Sequence, residues 1–263
     1  MHSSTLKKLF TSLFALAMLL GADFAQADTR TLLSVADATL FQANPNNNLG
    51  DGGTIMAGGR PKDGSLNKTR GVLRFDLSSL PENVLITSAT LTLKVLDTPS
   101  PAVNSIFDVR RLLVSWGNEG IGSDRSGGGP AAFNQVTWNN RFFGGFTWSS
   151  PGGVSGVDFS SALSASQNVA GNGTYNFSGA NLLADVRGWY ASPANNFGLM
   201  LMSESETVGR TVRRFGSREA GAFNAPSLNL QFTTVPEPGT LGLLGIGGAL
   251  LGVVHWRRRK CRR

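Results

Sequence analysis

The sequence predicts an all-β fold: a single jelly-roll-like β-sandwich, flanked by an N-terminal signal helix and a C-terminal hydrophobic helix. Three observations carry this. From Thr31 to Thr233, short apolar runs alternate with threonine, serine and charged residues at a period of two, the spacing that turns one face of a strand toward a core. Gly-, Asn- and Pro-rich connections separate the runs, as in a sandwich or jelly roll. No internal repeat or linker divides this stretch, and roughly 200 residues are enough for one substantial core.

The chain starts with Lys7 and Lys8, then the apolar run LFTSLFALAMLLGA, then AQA at Ala25 to Ala27. A positive stretch, an apolar core and a small-x-small site together form an export signal. Cleavage after Ala27 would divide the chain into a signal (1–27), a body (28–234) and a C-terminal segment (235–263).

Within the body, strands are expected at Thr31–Leu40 and Ile55–Ala57. The stretch TRGVLRFDLSSLP (Thr69 to Pro81) sets Val72, Arg74 and Asp76 on one parity and Leu73, Phe75 and Leu77 on the other. That reads as a half-buried strand closed by a Ser-Ser-Leu-Pro turn. Ile86 to Asp97 alternates Ala89, Leu91, Leu93 and Val95 with threonines and Lys94, and its Thr and Val content favours strand over helix. Further strands are expected at Ser105–Val114, Gly145–Trp148, Gly173–Phe177, Thr211–Arg214 and Ser227–Phe232, the last with Leu228, Leu230 and Phe232 inward. One helix is expected at Ala180–Tyr190, where Leu182, Leu183, Val186 and Trp189 recur at helical spacing. The Gly- and Ser-rich stretches Asn118–Gln135 and Ser149–Gly173 read as mobile surface loops.

Gly239 to Trp256 then runs 18 residues without a charge, followed by Arg257, Arg258, Arg259, Lys260, Arg262 and Arg263. A membrane-spanning helix takes about 20 apolar residues, and the basic cluster would stay on the cytoplasmic side with the body facing outward. Pro236 and Pro238 forbid a helix through VPEP, so that element should be extended just outside the bilayer.

Charge and rare residues narrow the function classes. The formal charge of +7 belongs to the ends; between Asp28 and Trp256 there are sixteen basic and sixteen acidic residues. A neutral body lacks the footprint of a nucleic-acid binder. Cys261 is the single cysteine, so burial rather than disulfides must hold the body together. The two histidines, His2 and His255, lie in the end segments. Histidine triads, most catalytic zinc sites and histidine acid–base chemistry are thereby excluded from the body. Carboxylate-pair chemistry is not.

Pro236, Glu237 and Pro238, the apolar segment 239–256 and the basic end 257–263 together resemble the PEP-CTERM sorting signal of Gram-negative bacteria. The resemblance implies transient membrane insertion and removal of the tail by an exosortase-type membrane protease. It also implies a producing organism that makes exopolysaccharide, with the body delivered to the cell surface or extracellular matrix.

The body itself resembles the DNRLRE-type domain, a secreted β-sandwich related to some carbohydrate-binding modules. The resemblance rests on Ala36–Gly50, Arg70–Pro81, Ile86–Leu96, the SW element with Glu119, Val136–Trp138, Asn195–Glu204 and Arg213–Phe232. Two departures stand out. A Gly-rich insertion separates Trp116 from Trp138, and the name-giving element survives as FGSRE, Phe215 to Glu219.

Candidate site residues follow from side-chain chemistry. Asp37 and Asp76 beside strand ends, the oxygen-rich turn NPNNNLGDGG (Asn44 to Gly53) and Glu219 could supply the six to eight oxygens that calcium takes. The plainer reading is that Asn and Asp cap turns through their own backbone. Arg74 either pairs with Glu219 or Asp76 or contacts an anionic sugar. Of the body's tryptophans, Trp116 and Trp138 sit beside strands, as core residues do. Trp148, between Gly-rich stretches, is the better candidate for stacking on a pyranose, with Tyr190 behind it. NKT at Asn67–Thr69 has the glycosylation pattern, which carries no meaning in an ordinary bacterial protein.

The leading functional reading is a non-catalytic envelope or matrix protein that associates with exopolysaccharide. The alternatives are a carboxylate-based glycan hydrolase or lyase, and a purely structural surface protein without glycan affinity. Exposure of Trp148 would favour the first; burial of all four body tryptophans would favour the last.

Overall fold

A computed structural model describes residues 27–62, 64–118, 120, 127–234 and 248. Two compact units are distinguished. One comprises 29–80 and 86–232; the other gathers 1–28, 81–85 and 233–263, of which 27–28, 81–85, 233–234 and 248 are described. No helix among the described residues is long and apolar enough to cross a membrane.

The strands are β1 (Ala27–Phe41), β2 (Asn47–Leu49), β3 (Thr54–Lys62), β4 (Ser65–Phe75), β5 (Val84–Asp97), β6 (Ser105–Arg111), β7 (Gly129–Pro130), β8 (Ala165–Val169), β9 (Gly173–Ser178), β10 (Leu199–Ser203), β11 (Arg213–Gly216) and β12 (Ser227–Thr234). One α-helix, α1, spans Ala180–Ala191. The strands run in the order β7-β2-β1-β12-β5-β11-β3-β4-β10-β6-β8, with β9 also on β5. Because β4 pairs with β1 as well, this path closes on itself and makes an all-β sandwich.

Two strands pass between the layers. In β1 the register shifts between Ser34 and Ala36, where the strand bends onto β4, as a bulge allows. In β3, Thr54 to Ala57 pairs with β11 while Gly58 to Lys62 pairs with β4. Gly58 makes that corner at φ 119°. A Cβ there would lie 2.7 Å from the Thr211 carbonyl oxygen, so glycine is required both by conformation and by space.

The alternation read in β5 is present: Ala89, Leu91, Leu93 and Val95 are buried. Leu228, Leu230 and Phe232 of β12 are buried likewise. Phe107 of β6 meets Phe215 of β11 edge-on at 5.4 Å, joining the layers through the interior. On α1, Leu182, Val186 and Trp189 are buried and Leu183 only partly.

β4 departs from the half-buried strand expected. Val72, Leu73 and Phe75 are all buried, because β4 lies between β1 and β10 and its second face is also covered. The cover is a second apolar cluster on that outer face: Ala36, Ala38 and Leu40 from β1, Val72 from β4, and Met200 and Met202 from β10 pack with Trp116, Trp138, Trp148 and Phe159.

Phe159 of the second Gly-rich stretch joins this cover, and both stretches hold paired and buried residues, which corrects their reading as mobile surface loops. Gly129–Pro130 pairs with β2, and Gln135 is buried. Asp158, 1% exposed, accepts from the Ser149 backbone N–H, the Ser149 hydroxyl and the Val154 N–H, folding Ser149–Phe159 into a compact turn. Ala165–Val169 is a strand paired with β6. Conversely, Gly145–Trp148 forms no strand; only an isolated bridge joins Asn140 to Thr147.

Candidate functional site

The candidate stacking residue Trp148 is 2% exposed, and its indole N–H donates to the Thr137 carbonyl at 2.8 Å. Trp116, Trp138 and Trp189 are likewise buried. No tryptophan of the body offers a face to a sugar. Trp148 is taken inward because the outer face of the sheet needs an apolar cover and a tryptophan whose N–H finds a carbonyl meets that need fully. Tyr190 sits half-buried near the end of α1, on a different element from the Trp148 turn.

Arg74 forms neither expected ion pair. Its guanidinium lies over the Trp116 ring, 5.3 Å from the centroid, and Trp116 is fixed there by an indole N–H bond to the Phe197 carbonyl at 2.7 Å. Cation–π contact replaces the carboxylate partner.

The three carboxylates considered for calcium are each engaged otherwise. Asp76 is exposed and accepts from the backbone N–H and the hydroxyl of Ser78, both at 2.8 Å. These bonds hold its carboxyl below the ordinary value, and they realise the turn-capping alternative. Asp37, fully buried, accepts from the Ser34 hydroxyl and from the Arg218 backbone N–H at 2.9 Å. Glu219 pairs with the Arg218 guanidinium at 2.7 Å. Asp37 and Glu219 thus reach the same corner through Arg218, whereas Asp76 makes its own turn. Among the described residues no three His, Cys, Asp or Glu side chains are placed to share an ion.

The asparagine-rich turn also works as scaffold. Asn44 and Asn47 donate their amides to the Gly127 carbonyl, and buried Asn48 donates to Gln135 and to the Val136 carbonyl. Their N–H₂ groups tie the turn to the insertion.

Two polar constellations escaped sequence reading. Arg70 clasps Glu206 with two N–H donors, gives a third to the Gly152 carbonyl, and lies over Trp138 at 5.3 Å. Lys68 adds a second cation to Glu206 at 3.0 Å. Burial disfavours the charged form of Glu206, but the hydrogen bonds and attraction from Arg70, then Lys68, outweigh it and hold the carboxyl below its ordinary value. The other is Arg213, fully buried on β11. It donates to the carbonyls of Ala170, Val103, Thr211, Val212, Val169 and Arg210 at 2.7 to 3.3 Å. Burial lowers its pKa, yet an arginine remains charged. In sequence, the alternation of Arg213 and Arg214 along a strand was the available signal, since one of two adjacent residues must face inward.

Aromatic exposure occurs at unforeseen positions. Phe133 is 78% and Phe146 68% exposed, and Arg141 lies over both Phe142 and Phe146.

The sorting residues Pro236, Glu237, Pro238, Arg257, Arg258 and Arg259 lie outside the described residues, as do Glu119 and residues 1–26 of the signal. For the C-terminal segment, sequence comparison is decisive. Residues 234–260 match the PEP-CTERM protein-sorting motif. The PEP-CTERM signal marks the chain as an exported substrate of an exosortase-type membrane protease, anchored transiently in the membrane before sorting. Comparison with curated proteins returns no match.

Proposed function

We propose that this chain is a non-catalytic structural protein of the cell surface or extracellular matrix of a Gram-negative bacterium. A 1–27 signal exports the 28–234 body, and an exosortase-type protease cuts its PEP-CTERM tail. The observation that carries the structural role is the burial of all four body tryptophans: the aromatic side chains that could have formed a sugar platform are spent on the fold. The body's lack of histidine, and the engagement of Asp37, Asp158 and Glu206 in fold-holding contacts, argue against a hydrolase or lyase, which needs a carboxylate pair free to act on substrate.

Replacing Pro236, Glu237 and Pro238 by alanines in the producing cell tests the sorting route. Accumulation of uncut chain in the membrane fraction, read by mass, is the expected result; normal tail removal would refute it.

A second reading, exopolysaccharide association, is favoured by one observation, the exposure of Phe133 and Phe146. Sugar C–H faces would stack there rather than on Trp148 or Tyr190. Co-sedimentation of the secreted protein with the producer's exopolysaccharide, with calcium and with chelator, discriminates. Saturable binding lost in the Phe133→Ala/Phe146→Ala double variant supports association, and flat curves for a folded wild type leave the purely structural reading. Sensitivity to chelator would reinstate a calcium role.

A further inference from the structure

A surface cleft lies where β3, β11 and the end of β5 meet. Arg60, Arg210 and Arg214 line it, with Asp97 as the one carboxylate and Pro61 and Pro99 in the walls. Between Asp28 and Trp256 sixteen basic and sixteen acidic residues balance, whereas this cleft gathers three guanidiniums and one carboxylate. The carboxylate is not a strong competitor: Asp97 is 63% exposed and meets Arg214 at 3.4 Å through a single nitrogen, a geometry worth little in water.

The cleft is also pre-organised. Arg210 holds φ 65°, a left-handed conformation uncommon for a non-glycine residue and frequent where a structure positions a side chain for use. Its carbonyl is held by the Val103 N–H at 3.0 Å and by the buried guanidinium of Arg213 at 3.3 Å. Arg214 is fixed from the other side, because it neighbours Met56 of β3 and Asp97 of β5 in the sheet. Strand pairing and the Arg213 carbonyl cage therefore fix the main chain that carries Arg210 and Arg214.

We propose that this cleft binds an oxyanion, a carboxylate or a sulfate or phosphate group, by charge-assisted hydrogen bonds from Arg210 and Arg214 with Arg60 alongside. Guanidinium forks match planar and tetrahedral oxyanions and give paired bonds that a lysine cannot. The cavity volume is about 210 Å³, so it admits the anionic group with part of the molecule that carries it. Binding here is independent of tail cleavage and of the Phe133 and Phe146 surface.

The test is titration calorimetry on the full chain in a non-ionic detergent. Sodium sulfate, inorganic phosphate and glucuronate are compared with chloride at equal ionic strength. Saturable one-to-one binding of at least one oxyanion is expected, with Kd in the range of about 1 mM for the free ions. Arg210→Gln should weaken it at least about tenfold. Asp97→Asn should tighten it by about threefold by removing the competing charge, while Arg30→Gln, remote from the cleft, should leave it unchanged. Glucuronate alone binding identifies a carboxylate ligand, sulfate or phosphate alone identifies an ester, and all three identify recognition of charge and geometry in common. No saturable heat above chloride, or equal affinity in wild type and Arg210→Gln, overturns the proposal. Arg210 is exposed, so its variant folds even if Arg214→Gln does not.

Discussion

Arg213 offers the most demanding test of how this body is held together. Its five N–H donors all point at main-chain oxygens, reaching Val103, Val169, Ala170 and the Arg210–Val212 segment. Three stretches distant in sequence thus share one cation. Arg213→Ala withdraws every donor at once and leaves buried carbonyls without partners. A hydrogen bond to a charged group contributes about 1.5–3 kcal/mol gross, but the guanidinium itself was costly to bury. Breaking such an arrangement from one side costs about 3–5 kcal/mol, a large part of the 5–15 kcal/mol typical of a domain. At about 2–4 °C per kcal/mol for a body of this size, the melting midpoint should fall by about 6–20 °C. Thermal unfolding of the secreted protein, followed by tryptophan fluorescence, measures the shift, and urea unfolding gives the free energy. Arg213→Met separates volume from hydrogen bonding, because methionine fills the space and donates nothing. Both variants should be strongly destabilised, and Arg213→Lys, with three donors on a point charge, should fall between them and wild type. Wild-type stability in Arg213→Met would refute the carbonyl-satisfaction account and leave packing as the cause.

Other outcomes follow from the same geometry. Glu206 has a folded pKa below its ordinary value of 4.5, so its contribution to stability is complete above that pH and is lost as pH falls through the folded value. Glu206→Gln should therefore flatten the acid limb of a stability–pH profile; an unchanged limb would show that Arg70 gains nothing from the charge. Trp148→Ala should cost about 3–5 kcal/mol in equilibrium unfolding, whereas Phe146→Ala, two residues away and exposed, should cost under about 0.5 kcal/mol. Equal losses would mean that Trp148 does not belong to the buried cover. Gly58→Ala should lower the yield of folded protein and its melting midpoint, since the added methyl meets the Thr211 carbonyl; a neutral result would mean that the β3 corner relaxes.

Much of this architecture is written locally. Alternation in β5 and β12 has period two whatever surrounds it, and the apolar spacing of Leu182, Val186 and Trp189 suits one helical face. The C-terminal order of Pro-Glu-Pro, uncharged segment and arginines is a linear signal, so sequence alone suffices to read it. Site residues are another matter. Trp148 is flanked by glycines and serines and looks like a surface residue, yet it is buried because, with Trp116, Val136, Trp138 and Phe159, it covers the outer face of β1, β4 and β10. Whether an arginine pairs with a carboxylate, an indole or six carbonyls depends on which elements meet around it: Arg74 found Trp116, Arg70 found Glu206, and Arg213 found only main chain. Sequence by itself determined the strand pattern, the neutral charge of the body and its destination, because each is set by residue type and spacing along one line. Only the tertiary structure decided which aromatics are spent on the core and which cations face a cleft, because burial and electrostatic partnership are properties of distance in space.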